Sequence, residues 1–235
     1  MALFSLVRRR LVWVPTLTGW LVLITFAGAI SVLAVRLIHP FLAPTAPAPG
    51  ARLLVIEGWL DMTELDQAIA MVRQGRYERV VTTGGPIERW AELSVSSNYA
   101  DLAASYLRTH GLENFPVAAI TAPASAQDRT FLSAVKLREW VKGQGLAPGA
   151  LDVFSGGTHG RRTRMLYRMA FGADVDVGVL SARPSQYDEE RWWRTSVGVK
   201  SVLGETVSVA WTACCFYPPP PGSHEELWAV PRQRR

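Results

Sequence analysis

From position 51 onward, short apolar runs alternate with stretches of helical period. Residues 52–56 carry a continuous apolar run, and 61–74 place Leu65, Ala68, Ile69 and Val72 on one helical face. The same pairing recurs in 79–83 with 97–110, where Leu102, Ala103, Tyr106 and Leu107 share a face. It recurs again in 117–121 with 128–142, where Phe131, Ala134, Val135 and Arg138 fall in step, and in 151–154 with 161–171. A fifth run, 176–180, precedes a final helical stretch from about Asp188 to Phe216. Runs that are apolar at every position belong to strands buried on both faces, because a half-exposed strand would alternate. Repeated strand–helix units specify a parallel sheet with right-handed crossovers and helices on both faces. The pattern therefore predicts one α/β domain over residues 51–217, with no repeat of fixed period.

The pattern before position 51 is different. Residues 11–35 hold no formal charge and are rich in Leu, Val, Ile and Trp. That length spans a bilayer with some tilt, and a transmembrane helix is expected over 11–38. Arg8, Arg9 and Arg10 form a basic N-terminus (1–10), which the positive-inside rule keeps in the cytoplasm, leaving residues 40–235 outside. A cleaved signal peptide is the competing reading, with Ala46-Pro47-Ala48 as a poor processing site. The apolar run exceeds a signal core, so a retained anchor is expected. Residues 39–50 contain Pro40, Pro44, Pro47 and Pro49 among alanines and read as an extended linker with a reach of about 30 Å. Residues 206–217 are apolar but too short to span, which leaves them as core or as a patch near the bilayer. Pro218–Pro221 end that stretch, and the tail 218–235 reads as disordered.

Charge narrows the partners. Seven of the 25 basic residues lie at positions 8–10, 36, 232, 234 and 235, while the other 18 are set against 20 acidic residues. The net charge of +5 thus belongs to the ends, which argues against a nucleic-acid-binding domain. The two cysteines, Cys214 and Cys215, are adjacent and offer no metal-ligand spacing. They read as small buried hydrophobes, with a vicinal disulfide as the alternative.

Ligands of open parallel sheets bind at the carboxyl ends of the strands. Four turns fall there: Glu57-Gly58-Trp59, Thr83-Gly84-Gly85-Pro86, the segment ending in Asp128-Arg129-Thr130, and Ser155-Gly156-Gly157-Thr158-His159-Gly160-Arg161-Arg162. The last joins a Gly-rich turn, a helix start, a histidine and two arginines. That is the composition of an anion site, although solvated arginines beside a tight turn would look the same. His159 is the leading general acid or base. Glu57 and Asp128 are candidates to orient it or a water, and together to hold Mg²⁺ with substrate phosphates. Gly58, Gly84, Gly85, Arg129, Thr130, Arg161 and Arg162 are candidate ligand-binding residues. Each has a structural alternative: a turn for the glycines, a helix cap for Asp128. Trp192-Trp193 reads as helix packing, and Glu205 as an exposed carboxylate. No dedicated metal site is evident and the cofactor is unknown.

These motifs, with Phe171-Gly172, Val177-Gly178-Val179, Tyr187-Asp188 and Trp192-Trp193-Arg194, occur in an order that resembles the bacterial YdcF/SanA/ElyC family across nearly all of 51–217. The chain departs from the family pattern at Ala122-Pro123, where an acidic residue is common, and at 128–131, where many members carry Thr-x-x-Asn. The resemblance implies a Rossmann-like three-layer domain, often behind one membrane helix. It also implies a role in the bacterial envelope through a phosphorylated, undecaprenyl-type cell-wall lipid. With the candidate site residues, the expectation is an inner-membrane protein that binds or processes such a lipid by phosphoester or pyrophosphate chemistry. A family link to S-adenosylmethionine gives the alternative of a non-catalytic nucleotide-like ligand module, and an envelope scaffold is a third reading. Orientation is directly testable. A C-terminal alkaline-phosphatase fusion is expected to be active in a bacterial host. Activity from a cytoplasmic reporter alone would overturn the outward orientation.

Overall fold

The computed structural model describes residues 14–87, 97–124 and 129–220. The expected tail from 221, the Arg8–Arg10 cluster and Asp128 lie outside these residues. The chain forms two compact units, Met1–Leu37 and Ile38–Arg235. In the first, helix α1 (Leu17–Leu42, continuing into the second unit) is long and apolar enough to cross a membrane. Its place near the N-terminus fits a signal sequence equally well.

The second unit is a Rossmann-like α/β fold. Its strands are β1 (Leu53–Glu57), β2 (Arg79–Gly84), β3 (Val117–Thr121), β4 (Ala150–Gly156) and β5 (Asp176–Ala182). All pair in parallel in the order β3-β2-β1-β4-β5. Helices α2 (Met62–Val72), α3 (Tyr99–Thr109), α4 (Arg129–Gly143) and α5 (Gly160–Phe171) connect them, and α6 (Ser196–Cys215) follows β5. The register aligns Ala118, Val81, Val55, Val153 and Val179 in one row across the sheet. Val55, Val81 and Val153 pack with Phe131 and Val135 of α4 and Leu166 and Tyr167 of α5. On the opposite face Leu54, Ile56, Val80 and Phe154 pack with Leu65 and Ile69 of α2 and Ala103 and Leu107 of α3. Every residue of β1 is buried, as its unbroken apolar run requires. The edge strand β3 is only half-buried, because no strand covers its outer side.

Three local expectations are corrected. Residues 39–50 do not form a free linker. Residues 39–42, Pro40 included, complete α1, and 43–50 lie as a strap along the outer edge of β5; His39, Leu42 and Ala48 are buried. Ala46 exchanges two backbone hydrogen bonds with Val179, at 2.8 and 3.0 Å, which occupies the edge groups a parallel sheet leaves unpaired. The carboxylate of Asp152, fully buried, accepts from the Ala48 N–H at 2.7 Å and the Tyr77 hydroxyl at 2.7 Å. Gly178 lies between Asp152 and the strap; a Cβ there would come within 2.0 Å of Asp152 Oδ1 and 2.2 Å of the Ala48 nitrogen. Proline supplies the extended backbone, but side-chain and edge hydrogen bonds dock it.

The helix foreseen from Asp188 to Phe216 is broken. A 3₁₀ segment, Glu189–Arg194, ends at Thr195, whose extended backbone (φ −127°, ψ 144°) starts α6. The Thr195 hydroxyl accepts from the Gly198 N–H at 3.1 Å and caps the new helix. Cys214 and Cys215 are exposed and joined as a vicinal disulfide, not buried as separate hydrophobes.

Asp152→Ala leaves the Ala48 N–H and the Tyr77 hydroxyl without their acceptor. We expect a stability loss of about 3 kcal/mol, measured by denaturant unfolding, with Asp152→Asn intermediate.

Candidate active site

The strand order reverses at β1. Its helix, α2, and the helix after β4, α5, cover opposite faces of the sheet, so a crevice opens beyond the carboxyl ends of these two neighbouring strands. A cleft of about 1250 Å³ lies there. It is larger than the roughly 300–1,000 Å³ of most small-molecule sites. It brings together Glu57, Gly84, Gly85, Arg129, Thr130, His159 and Arg162 of the expected residues.

Glu57 is the last residue of β1 and is buried. Its carboxylate accepts a hydrogen bond from the Ser155 hydroxyl near the end of β4. Thr163, one turn into α5, places its hydroxyl 3.3 Å from both Glu57 oxygens. Beneath them Thr83 and Tyr167 share a hydroxyl contact of 3.0 Å. Burial first, and the Glu57 carboxylate second, push the Tyr167 phenol well above its usual range, so it stays neutral. A buried carboxylate survives only with such partners.

His159 ends the 3₁₀ turn Gly157–His159 that leads from β4 into α5. Its Nδ1 lies 2.9 Å from Glu205 Oε1 on α6. Its Nε2 lies 3.9 Å from Glu57 Oε1 and 3.5 Å from the Thr130 hydroxyl. The edge of Trp59 meets the imidazole at 5.1 Å between centroids. Arg162 sits three residues on, hence on the same helix face as His159. It grips Glu205 with both sides of its fork, Nε to Oε2 at 2.9 Å and an Nη to Oε1 at 3.1 Å. Burial pushes the Glu205 carboxyl up, but the hydrogen bonds and charges of His159 and Arg162 outweigh it and hold the pKa at about 2. Glu205 is therefore an anion at neutral pH. An Nη of Arg162 also lies 2.9 Å from His159 Nδ1 and 3.3 Å from Nε2, so Glu205 and Arg162 together fix the ring, with Nε2 near Glu57 and the Thr130 hydroxyl.

The helix starts differ in how they are capped. Asp61 and Glu64 form a reciprocal capping box on α2, and Asn98 caps α3 by accepting from the Asp101 N–H at 2.8 Å. At the turn into α5 neither Gly156 nor His159 caps with its side chain. Gly157 there has φ +36°, a conformation glycine adopts without penalty, and it lines the cleft. Amides at such a start, with the positive end of the helix dipole, suit an anionic ligand. Arg129, Arg162 and Lys200 add positive charge to the lining.

Two expected ligand residues are placed elsewhere. Arg161 lies outside the cleft lining: its guanidinium stacks on the Phe41 ring at 3.9 Å and its Nε donates to the Phe41 carbonyl. Gly58 also lies off the lining, and its role is steric. A Cβ there would come within 2.5 Å of the Tyr99 carbonyl oxygen at the start of α3. Asp128 lies outside the described residues, so its pairing with Glu57 is not visible. Among the described residues no group of three or more His, Cys, Asp or Glu is arranged to hold a metal ion.

The sequence does not single out Ser155 and Thr163, or the contacts of Glu205 with His159 and Arg162. Ser155 and Thr163 are eight residues apart across a strand–helix turn, and Glu205 is 46 residues from His159, so no spacing rule joins them. No protein-family model matches this chain, and no curated protein matches it in sequence.

The Glu205 carboxyl has a folded pKa near 2 against an ordinary 4.5. Its anion stabilises the fold fully above about pH 4.5, and that contribution is lost as pH falls toward 2. At neutral pH, Glu205→Gln is expected to lower stability by on the order of 3 kcal/mol. The gap from the parent should close in the acid range, read by unfolding at a series of pH values. A gap that does not change with pH would show that Glu205 is not held as an anion.

Proposed function

We propose that this protein is a membrane-anchored enzyme that cleaves a phosphoester or pyrophosphate bond in an amphiphilic substrate, with His159 as general base. One observation carries the reading: Glu205 and Arg162 fix the His159 ring in the cleft lining, with Nε2 3.9 Å from the buried carboxylate of Glu57. That arrangement has the geometry of a base with its orienting group.

In this reading the phosphoryl oxygens lie at the start of the Gly157–His159 turn, near Arg129 and Lys200. A water between Nε2 and phosphorus gives its proton to His159 as its oxygen forms the new P–O bond. The bond to the leaving oxygen breaks, and the proton returns from His159 to that oxygen or to solvent. Glu205, pinned by Arg162, holds the ring. Glu57, 3.9 Å from Nε2, stabilises the imidazolium formed in between. Arg162 acts as a positioning residue through Glu205, and Arg161 plays no part.

The family resemblance supports an isoprenoid-linked substrate of the cell envelope, and the Arg8–Arg10 cluster supports a bacterial inner-membrane anchor with the domain outside. S-adenosylmethionine, available in the cytoplasm, fits that orientation poorly.

An isoprenyl pyrophosphate serves as the probe, with phosphate release and equilibrium binding measured on the full chain. His159→Ala is expected to bind within a few-fold of the parent and to lose on the order of 10²-fold or more in turnover. Glu205→Gln should lower kcat with little change in KM. Binding by the parent with no turnover, unchanged in His159→Ala, would favour the non-catalytic ligand module. Neither binding nor turnover by a folded parent would favour the scaffold.

A further inference from the structure

One face of α6 is accounted for by neither the core nor the cleft. With about 100° per residue, α6 presents three faces. Val202, Val209 and Thr212 are buried. Lys200, Ser201, Gly204, Glu205 and Ser208 line the cleft. Beside the cleft-lining face, on the side away from the core, Leu203, Val207 and Trp211 follow one another at four-residue steps, 56%, 69% and 48% exposed. Ala210 and Cys214 lie in the same arc and are exposed too. Trp193 before the helix and Tyr217 after it are further exposed aromatics, and Val197, 43% exposed, belongs to the cleft lining. A contiguous apolar surface of this kind marks a contact with something else.

We propose that this face of α6 docks on the surface of the bilayer that α1 crosses, so that the cleft opens at the membrane. The proposal rests on α1 as a retained anchor and not on chemistry at His159. Three observations favour lipid over a second copy of the chain. First, the last turn of α1 belongs to the folded unit: Ile38 is its first residue, and His39 and Leu42 are buried in it. Second, α6 is tied to this entry point through side chains. His39 Nε2 lies 3.3 Å from the Tyr187 hydroxyl, which lies 3.4 Å from the Ser201 hydroxyl of α6. Third, the chemistry of the face suits the water–lipid boundary. The stripe holds no charge, and Trp193, Trp211 and Tyr217 are the amphipathic aromatics that partition to that boundary. Lys200 and Arg194 are exposed alongside, where a headgroup layer would lie. A helix with one apolar face, one polar face and flanking cations lies in the plane of an interface. Docked in this way, the site receives a headgroup whose hydrocarbon stays in the bilayer.

The test places the photo-crosslinker benzoylphenylalanine at Val207, and separately at Leu203, in the full chain reconstituted into vesicles of phosphatidylcholine and phosphatidylglycerol. Both positions are solvent-facing, so the substitutions spare the core. Glu113, exposed beyond the amino ends of the strands, is the control. Mass spectrometry is expected to find phospholipid adducts at 207 and 203 and none above background at 113. Adducts joining two protein chains at 207 would overturn the proposal in favour of a dimer face. No lipid adduct above the control in a chain that resists alkaline extraction would overturn docking while leaving the anchor intact. A chain that alkaline carbonate releases from the vesicles would overturn the anchor and the docking together. Phosphate release at His159 is scored separately, so failure of the catalytic reading would be distinguishable from all three.

Discussion

The structure depends on where the strand order of the parallel sheet reverses. Because β1 and β4 are neighbours while their helices leave to opposite faces, no helix closes over their carboxyl ends. Glu57 and the Gly157–His159 turn project into that gap for topological reasons, before any question of chemistry. Once there, Glu57 is buried and must be hydrogen-bonded. Ser155 from the adjoining strand and Thr163 from the helix that follows supply the partners. The same helix then aligns His159 and Arg162 on one face, where α6 delivers Glu205. The polar core of the cleft is one connected network reaching from β1 to α6.

Two features shape the outer part of the unit. The strap formed by residues 43–50 occupies the open edge of β5, held by Ala46 on Val179 and by the buried Asp152. It turns an unprotected edge strand into a covered one. The break at Thr195 redirects α6 so that its polar face closes one side of the cleft. The close approach of Gly198 to the Trp192 carbonyl, where a Cβ would sit 2.3 Å from the oxygen, makes that bend compact. Without the break, Glu205 would not be presented to His159 at this angle.

Much of the architecture was legible in the chain. The five apolar runs mark the five strands to within two residues at each end, because strands in the middle of a two-sided sheet are mostly apolar and their few polar residues, such as Asp152 and Thr83, are hydrogen-bonded. The turns at the carboxyl ends were placed correctly because parallel topology puts them there. Less legible were residues 39–50: a proline-rich segment looks the same docked or free, and the deciding residues, Asp152 and Gly178, lie more than 100 positions away. The adjacent cysteines were misread for a similar reason, since exposure at the end of α6 depends on what packs there. Arg161 and Arg162 look equivalent in sequence. Their 100° separation on a helix sends one to Glu205 and the other to Phe41.

The sequence by itself determined the strands, the order of helices between them, the apolar N-terminal helix and the identity of His159 as the residue to watch. Hydrophobic period and turn chemistry act locally, within a window that the chain displays directly. Tertiary structure alone decided the partners: that Glu205 fixes the imidazole, that Ser155 and Thr163 hold Glu57, and that Arg162 positions a carboxylate. Those pairings join residues from β1, β4, α5 and α6, and a hydrogen bond between distant segments leaves no periodic mark on either one.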